Sequence, residues 1–184
     1  MVVLTSEIER RLLTIARDAL EARVRRTHGS PVPSDEASHI RRGAFVTIFW
    51  KGELRGCLGR ITSDTPLPEL IGLLAQEVAD SDPRFDPVQE RELPDISLEV
   101  SVLTPEREIA SIDDIEIGRH GLIIEQGSRR GLLLPQVPTE HGWDRDTFVA
   151  QACLKAGLSS DAWQHGARMF VFEAQVFGEG SRHG

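Results

Sequence analysis

The chain has 184 residues, 40% of them hydrophobic and 27% charged, which fits one to one and a half soluble globular domains with a real core. Its formal net charge of −8 argues against a surface that coats nucleic acid, and no apolar run approaches the roughly 18 residues that span a bilayer. The opening MVVLTSEIERRLL puts charges where a signal peptide needs an apolar stretch, so a cytoplasmic protein without a membrane partner is expected, with Cys57 and Cys153 as free thiols.

In chain order, residues 6–26 predict an amphipathic helix: Ile8, Leu12, Ile15, Ala19 and Leu20 recur at helical spacing, and Ser6 with Glu9 reads as a capping box. A loop rich in Gly, Pro and Ser follows at 27–37. GAFVTIFW (43–50) and ELRGCLGRI (53–61) predict a β-hairpin around the two-residue turn Lys51-Gly52. Residues 66–82 predict a helix whose buried stripe is Leu67, Leu70, Ile71, Leu74 and Val78, with its prolines confined to the first turn. SDPRFDP (81–87) reads as a turn held by Asp82, with Phe85 as a core plug. DISLEVSVL (95–103) alternates, with Ile96, Leu98, Val100 and Val102 on one face and Ser97, Glu99 and Ser101 on the other. A second hairpin is expected over 120–137, turning at QGSRRG. Asp144 caps a helix that runs through Ala156 and stops at Gly157. RMFVFEAQVF (168–177) is the closing strand, and 178–184 a flexible tail. Helices and strands mix without βαβ alternation, so the class is α+β on antiparallel sheet.

The chemistry concentrates at ELRGCLGR. Alternation along a regular strand puts Arg55 and Cys57 on one face, roughly 6.6 Å apart. A cation there favours thiolate over thiol. Gly56 and Gly59 leave room for a ligand or another backbone. The packing reading, a small buried cysteine among bulge glycines, stands beside the functional one. Cys153, with Phe148, Val149, Ala152 and Ala156 around it on a helix, reads as core. Arg84 fits an anionic group, and Glu99 is a candidate acid or base if its strand face lines a cleft. His120, in GRHGL, is the most interesting of six histidines; His183 belongs to the tail. No histidine pair has metal-ligand spacing, and there is no P-loop, GxSxG elbow or dinucleotide fingerprint, so neither metal nor cofactor is expected.

Taken together, GAFVTIFWKGELRGCLGRI, DSDPRFDP, LPDISLEVSVLTP, IGRHGL, RRGLLLPQV and GWDRDTFVAQACLKAGL resemble the AMMECR domain family in sequence and in order, over roughly residues 8–177. Leu58 stands where isoleucine is more usual, a neutral swap. The resemblance implies one domain over 1–177 with two lobes. The larger, with an antiparallel sheet and flanking helices, holds both termini; a smaller β-rich lobe is inserted, and a cleft lies between. It implies partners as well: a Memo-type protein and a radical S-adenosylmethionine enzyme, as in the AmmeMemoRadiSam system, whose protein A this chain is similar to. Because Arg55, Gly56, Cys57 and Gly59 travel together in the family motif, the resemblance tilts Cys57 toward function.

Two readings stay open. In one, Cys57 is the nucleophile or covalent acceptor of a cysteine-dependent transferase or modification enzyme. Arg55 stabilises its thiolate, His120 or Glu99 moves a proton, and Gly56, Gly59, Arg84 and Gln136 contact a small-molecule or peptide substrate. In the other, the chain is a non-catalytic protein-binding scaffold whose LRGCLG strand is architectural. Nucleic-acid binding is the weakest class, because the chain has no tyrosine and only 5% aromatic residues for base stacking.

Overall fold

The computed structural model of the chain describes residues 4–34 and 36–180, so His183 and the last four residues of the expected tail lie outside the described residues. The chain divides into two compact units, Met1–Leu103 with Gln175–Gly184, and Thr104–Ala174. The class is α+β, with two four-stranded antiparallel sheets and flanking helices.

In the first unit, α1 (Ser6–Arg25) is capped one residue earlier than expected. The Thr5 side chain, rather than that of Ser6, accepts the Ile8 N–H at 3.3 Å. α1 buries Leu12, Ala16, Ala19 and Leu20. α2 (Leu67–Asp80) starts on Pro66 and Pro68 and buries the whole predicted stripe. The two helices cover one face of a sheet ordered β2-β1-β3-β8. Its strands are β1 (Ala44–Trp50), β2 (Glu53–Arg60), β3 (Ile96–Leu103) and β8 (Ala174–Gly178). Ala44, Val46, Ile48, Leu98, Val100 and Val102 pack beneath the helices and are essentially inaccessible. Lys51 (φ 51°) and Gly52 (φ 88°) both adopt left-handed backbone, the paired positive angles of a type I′ turn, so the first hairpin forms where the sequence places it.

The second unit's sheet is ordered β4-β7-β5-β6, with β4 (Arg107–Ile109), β5 (Gly121–Gln126), β6 (Arg129–Leu133) and β7 (Arg168–Phe172). α4 (Arg145–Lys155) packs on it, capped by Asp144, whose carboxylate accepts the Thr147 N–H at 2.8 Å. Phe148, Val149, Ala152 and Cys153 meet Leu122, Ile124, Met169 and Val171 in this unit's core. Gly131 lets β6 approach the end of α4: a Cβ there would stand 2.3 Å from the Ala156 nitrogen.

Two expected elements differ. The second hairpin ends at Leu133, because Pro135 starts a short helix, α3 (Gln136–His141), in place of extended chain to 137. The single closing strand is two, β7 and β8, one in each sheet. Between them, the Glu173 N–H donates to the Thr104 hydroxyl and the Thr104 N–H to the Glu173 carbonyl, both at 2.8 Å.

Candidate functional site

The position of Cys57 is decided by one irregularity. From the turn, Trp50 faces Glu53 and Phe49 faces Leu54, but the next partner of Ile48 is Gly56. Arg55 is thus the extra residue of a β-bulge. Side chains alternate with period two, so the bulge reverses the facing of everything beyond it. An unbroken ladder would set Cys57 against Val46, which is wholly buried in the core; the bulge sets it against Thr47. Thr47 in turn pairs with Glu99, so Cys57, Thr47 and Glu99 form one row across β2, β1 and β3, on the sheet face opposite the helices. Cys57 is half-buried there, and the Thr47 hydroxyl donates to its Sγ at 3.2 Å. Neighbouring strands lie about 4.8 Å apart, which puts Glu99 roughly 9–10 Å from Cys57, beyond direct hydrogen-bond reach of the thiol. Both can still serve one ligand lying across Thr47.

The cation near the sulfur is Arg84, and the expectation for Arg55 is corrected. Arg55 donates to Glu92 at 2.9 and 3.2 Å and to the Asp86 carbonyl at 2.9 Å. Glu92 is buried and also accepts the Gln89 N–H at 2.7 Å. Burial pushes its carboxyl up, but the hydrogen bonds from Arg55 and Gln89 and the nearby positive charge outweigh that, and the net direction is down. The Arg55 charge is therefore committed to the 82–92 segment. Arg84, by contrast, stands near enough to Cys57 for its charge and that of a thiolate to favour one another.

Asp82 joins these pieces. Its buried carboxylate accepts the Cys57 N–H at 3.0 Å, the Arg84 N–H at 3.1 Å, and the Arg84 guanidinium at 3.1 and 2.8 Å. The Arg84 side chain, helped by the two backbone N–H groups and opposed by burial, holds the Asp82 carboxyl far below the usual carboxylate range. Asp82 thereby fastens the SDPRFDP turn to the strand edge at Cys57. Phe85 is half-buried rather than a core plug: the guanidinium carbons of Arg84 and Arg55 lie 5.3 and 5.9 Å from its ring centre.

Neither motif glycine leaves open space. A Cβ on Gly56 would meet Val78 at 3.0 Å and Ile48 at 3.3 Å on the core side. One on Gly59 would stand 2.2 Å from the Phe45 ring, which already covers that position. Both glycines serve packing.

His120 and Gln136 belong to the second unit. The buried His120 ring accepts the Glu116 N–H on Nδ1 at 3.0 Å, while the His120 backbone N–H donates to the Glu116 carbonyl at 2.9 Å, closing the turn before β5. Gln136 is exposed at the start of α3, and its backbone carbonyl accepts the Thr139 hydroxyl at 2.9 Å. Cys153 is fully buried, and burial pushes its thiol up. Among the described residues, no three His, Cys, Asp or Glu side chains are grouped to hold a metal ion, and no helix is long and apolar enough to cross a membrane. Of the residues singled out in the sequence, Cys57, Glu99 and Arg84 come together in the first unit. Thr47 and the anchoring role of Asp82 were missed. For Thr47 the alternation of β1 carried the signal, since Phe45, Thr47 and Phe49 alternate with the buried Ala44, Val46 and Ile48.

The chain is similar to known proteins over nearly all its length. The AMMECR1 family model matches residues 13–177. A protein of Methanothermobacter thermautotrophicus is 45% identical over 179 residues, covering 92% of this chain and 93% of its own. Protein MJ0810 of Methanocaldococcus jannaschii is 46% identical over 153 residues, covering 78% of this chain and 76% of its own. The crystal structure of the uncharacterized protein PH0010 from Pyrococcus horikoshii superposes with a TM-score of 0.79 at 38% identity, covering 94% of this chain and 92% of that one. The chain belongs to the AMMECR1 family.

Proposed function

We propose that the chain acts through Cys57, as nucleophile or covalent acceptor, on a ligand laid across the Cys57–Thr47–Glu99 row. The observation that carries this reading is the hydroxyl of Thr47 donating to the Cys57 sulfur at 3.2 Å, on the half-buried sheet face opposite the helices and not in the core. The Cys57 thiol loses its proton to solvent, Thr47 and Arg84 stabilise the thiolate that attacks the ligand, and Glu99 exchanges a proton with the far end of that ligand. Asp82 positions the strand edge and Arg84 together. The substrate is a small molecule or peptide, and the setting is a system with a Memo-type protein and a radical S-adenosylmethionine enzyme in the cytoplasm. Within it the chain is a single two-lobed domain.

One observation favours the scaffold reading: Gly56 and Gly59 are filled by their own unit's side chains, which is what an architectural strand needs. A Cys57→Ser variant in a reconstituted system with both partners separates the two. Lost turnover with partner binding and folding intact supports the cysteine reading. Full turnover sinks it in favour of the scaffold.

A further inference from the structure

On the helix side of the first unit, opposite the Cys57 face, α1, α2 and the 29–33 loop line a half-open cavity of about 430 Å³. That volume lies within the range of small-molecule sites. Its walls are largely apolar: Ile15 and Ala19 from α1, Leu73 from α2, and Val32 held between Pro31 and Pro33. Val32 and Leu73 are 38% and 49% exposed, so two large apolar side chains meet solvent at this cavity.

The floor contains Gly72, in the middle of α2. A mid-helix glycine weakens a helix relative to alanine. Packing does not demand it here, because an added Cβ would meet Ile15 at 3.6 Å and Val32 at 3.9 Å, ordinary contact distances. What the glycine does supply is depth in the cavity. The rim supplies a sign of charge. Asp18 and Glu69 both line the opening, and neither has an ion-pair partner among the described residues. Arg11, on the same rim, is engaged in an interaction of its own. Past Gln76 and Gly29 the cavity runs into a more polar hollow where Asp80 holds Arg23 at 2.7 Å.

We infer that this cavity is a binding site for a small organic cation: an apolar aryl or alkyl body seated over Gly72 between Ile15, Val32 and Leu73, with its ammonium group at Asp18 and Glu69. The site is separate from the chemistry at Cys57 and does not rest on it.

The test is an NMR titration of the isotope-labelled full chain with 3-phenylpropylamine, its alcohol 3-phenylpropanol and its acid 3-phenylpropionate. The amine binds with a dissociation constant of about 1 mM or tighter and shifts the Ile15 and Val32 methyl signals. It binds about five-fold more tightly than the alcohol, and Asp18→Asn with Glu69→Gln removes that preference. Gly72→Leu fills the floor and abolishes binding. Gly72→Ala, which fits without displacement, raises the thermal midpoint and shows that the position tolerates a side chain. The inference is overturned if the amine leaves the Ile15 and Val32 signals unmoved, or if alcohol or acid binds as well as the amine. It is equally overturned if a folded Gly72→Leu still binds; should that variant not fold, the wild-type methyl shifts and the amine-to-alcohol ratio decide the question.

Discussion

Asp82→Asn changes one oxygen for an NH2 group at the joint between the SDPRFDP turn and the Cys57 strand. The carboxylate spends one oxygen on the Cys57 N–H and the other on the Arg84 N–H. Whichever way an amide is turned, its NH2 meets one of those donors. That leaves a backbone N–H without an acceptor, which costs about 1–3 kcal/mol. The weakened ion pair adds little, because the Arg84 side chain is 56% exposed and its charge well screened, worth about 0.5 kcal/mol. The sum is about 2.5 kcal/mol, or roughly a 70-fold increase in opening of the edge. Urea unfolding of the first unit reads the stability change. Amide hydrogen exchange reads the mechanism, with the Cys57 N–H losing protection when the amide presents its nitrogen there. A variant as stable as wild type, with Cys57 N–H protection unchanged, would refute the anchoring role.

The same carboxylate gives a pH signature. Its folded pKa is depressed below the ordinary 3.8, so its stabilisation is fully present above that value and is lost as pH falls below it. Wild type and Asp82→Asn therefore converge in stability between about pH 4 and pH 2, and a constant gap on acid titration would contradict this. Glu92→Ala strands Arg55, whose side chain is only 14% exposed, and is expected to cost about 3–5 kcal/mol in equilibrium unfolding. A loss under 1 kcal/mol would mean that Arg55 finds another partner. Gly59→Ala drives a methyl into the Phe45 ring and the Ala44 carbonyl, 2.2 and 2.6 Å away, and should cost about 1–3 kcal/mol. Adding Phe45→Ala to it should cost less than the two single losses combined, and strict additivity would rule out the contact.

Most of the architecture was legible because it rests on local signals. The stripe of α2, the alternation of β3, the Lys51-Gly52 turn and the Asp144 cap each follow from a few adjacent residues. What the sequence hid was parity. Nothing in ELRGCLGR marks Arg55 as an extra residue, and a regular strand places Arg55 and Cys57 together while turning the cysteine toward Val46. The bulge instead separates them and opposes Cys57 to Thr47. Arg84 approaches Cys57 through a contact spanning 25 residues, Cys57 to Asp82, which no local pattern encodes. Over 168–177 the apolar run Met169–Phe172 gives way at Glu173 to an alternating stretch, and that local change alone does not say that the two halves join different sheets.

The central claim, that the bulge turns the Cys57 sulfur out of the core onto the sheet face opposite the helices, is tested most directly by site-resolved alkylation of the folded chain with iodoacetamide, read by peptide mass spectrometry. Cys57 should be modified in the native state, with Cys153, wholly buried and with its thiol pushed up, reacting only after unfolding. Cys57 and Cys153 both reacting only in denaturant would contradict the account.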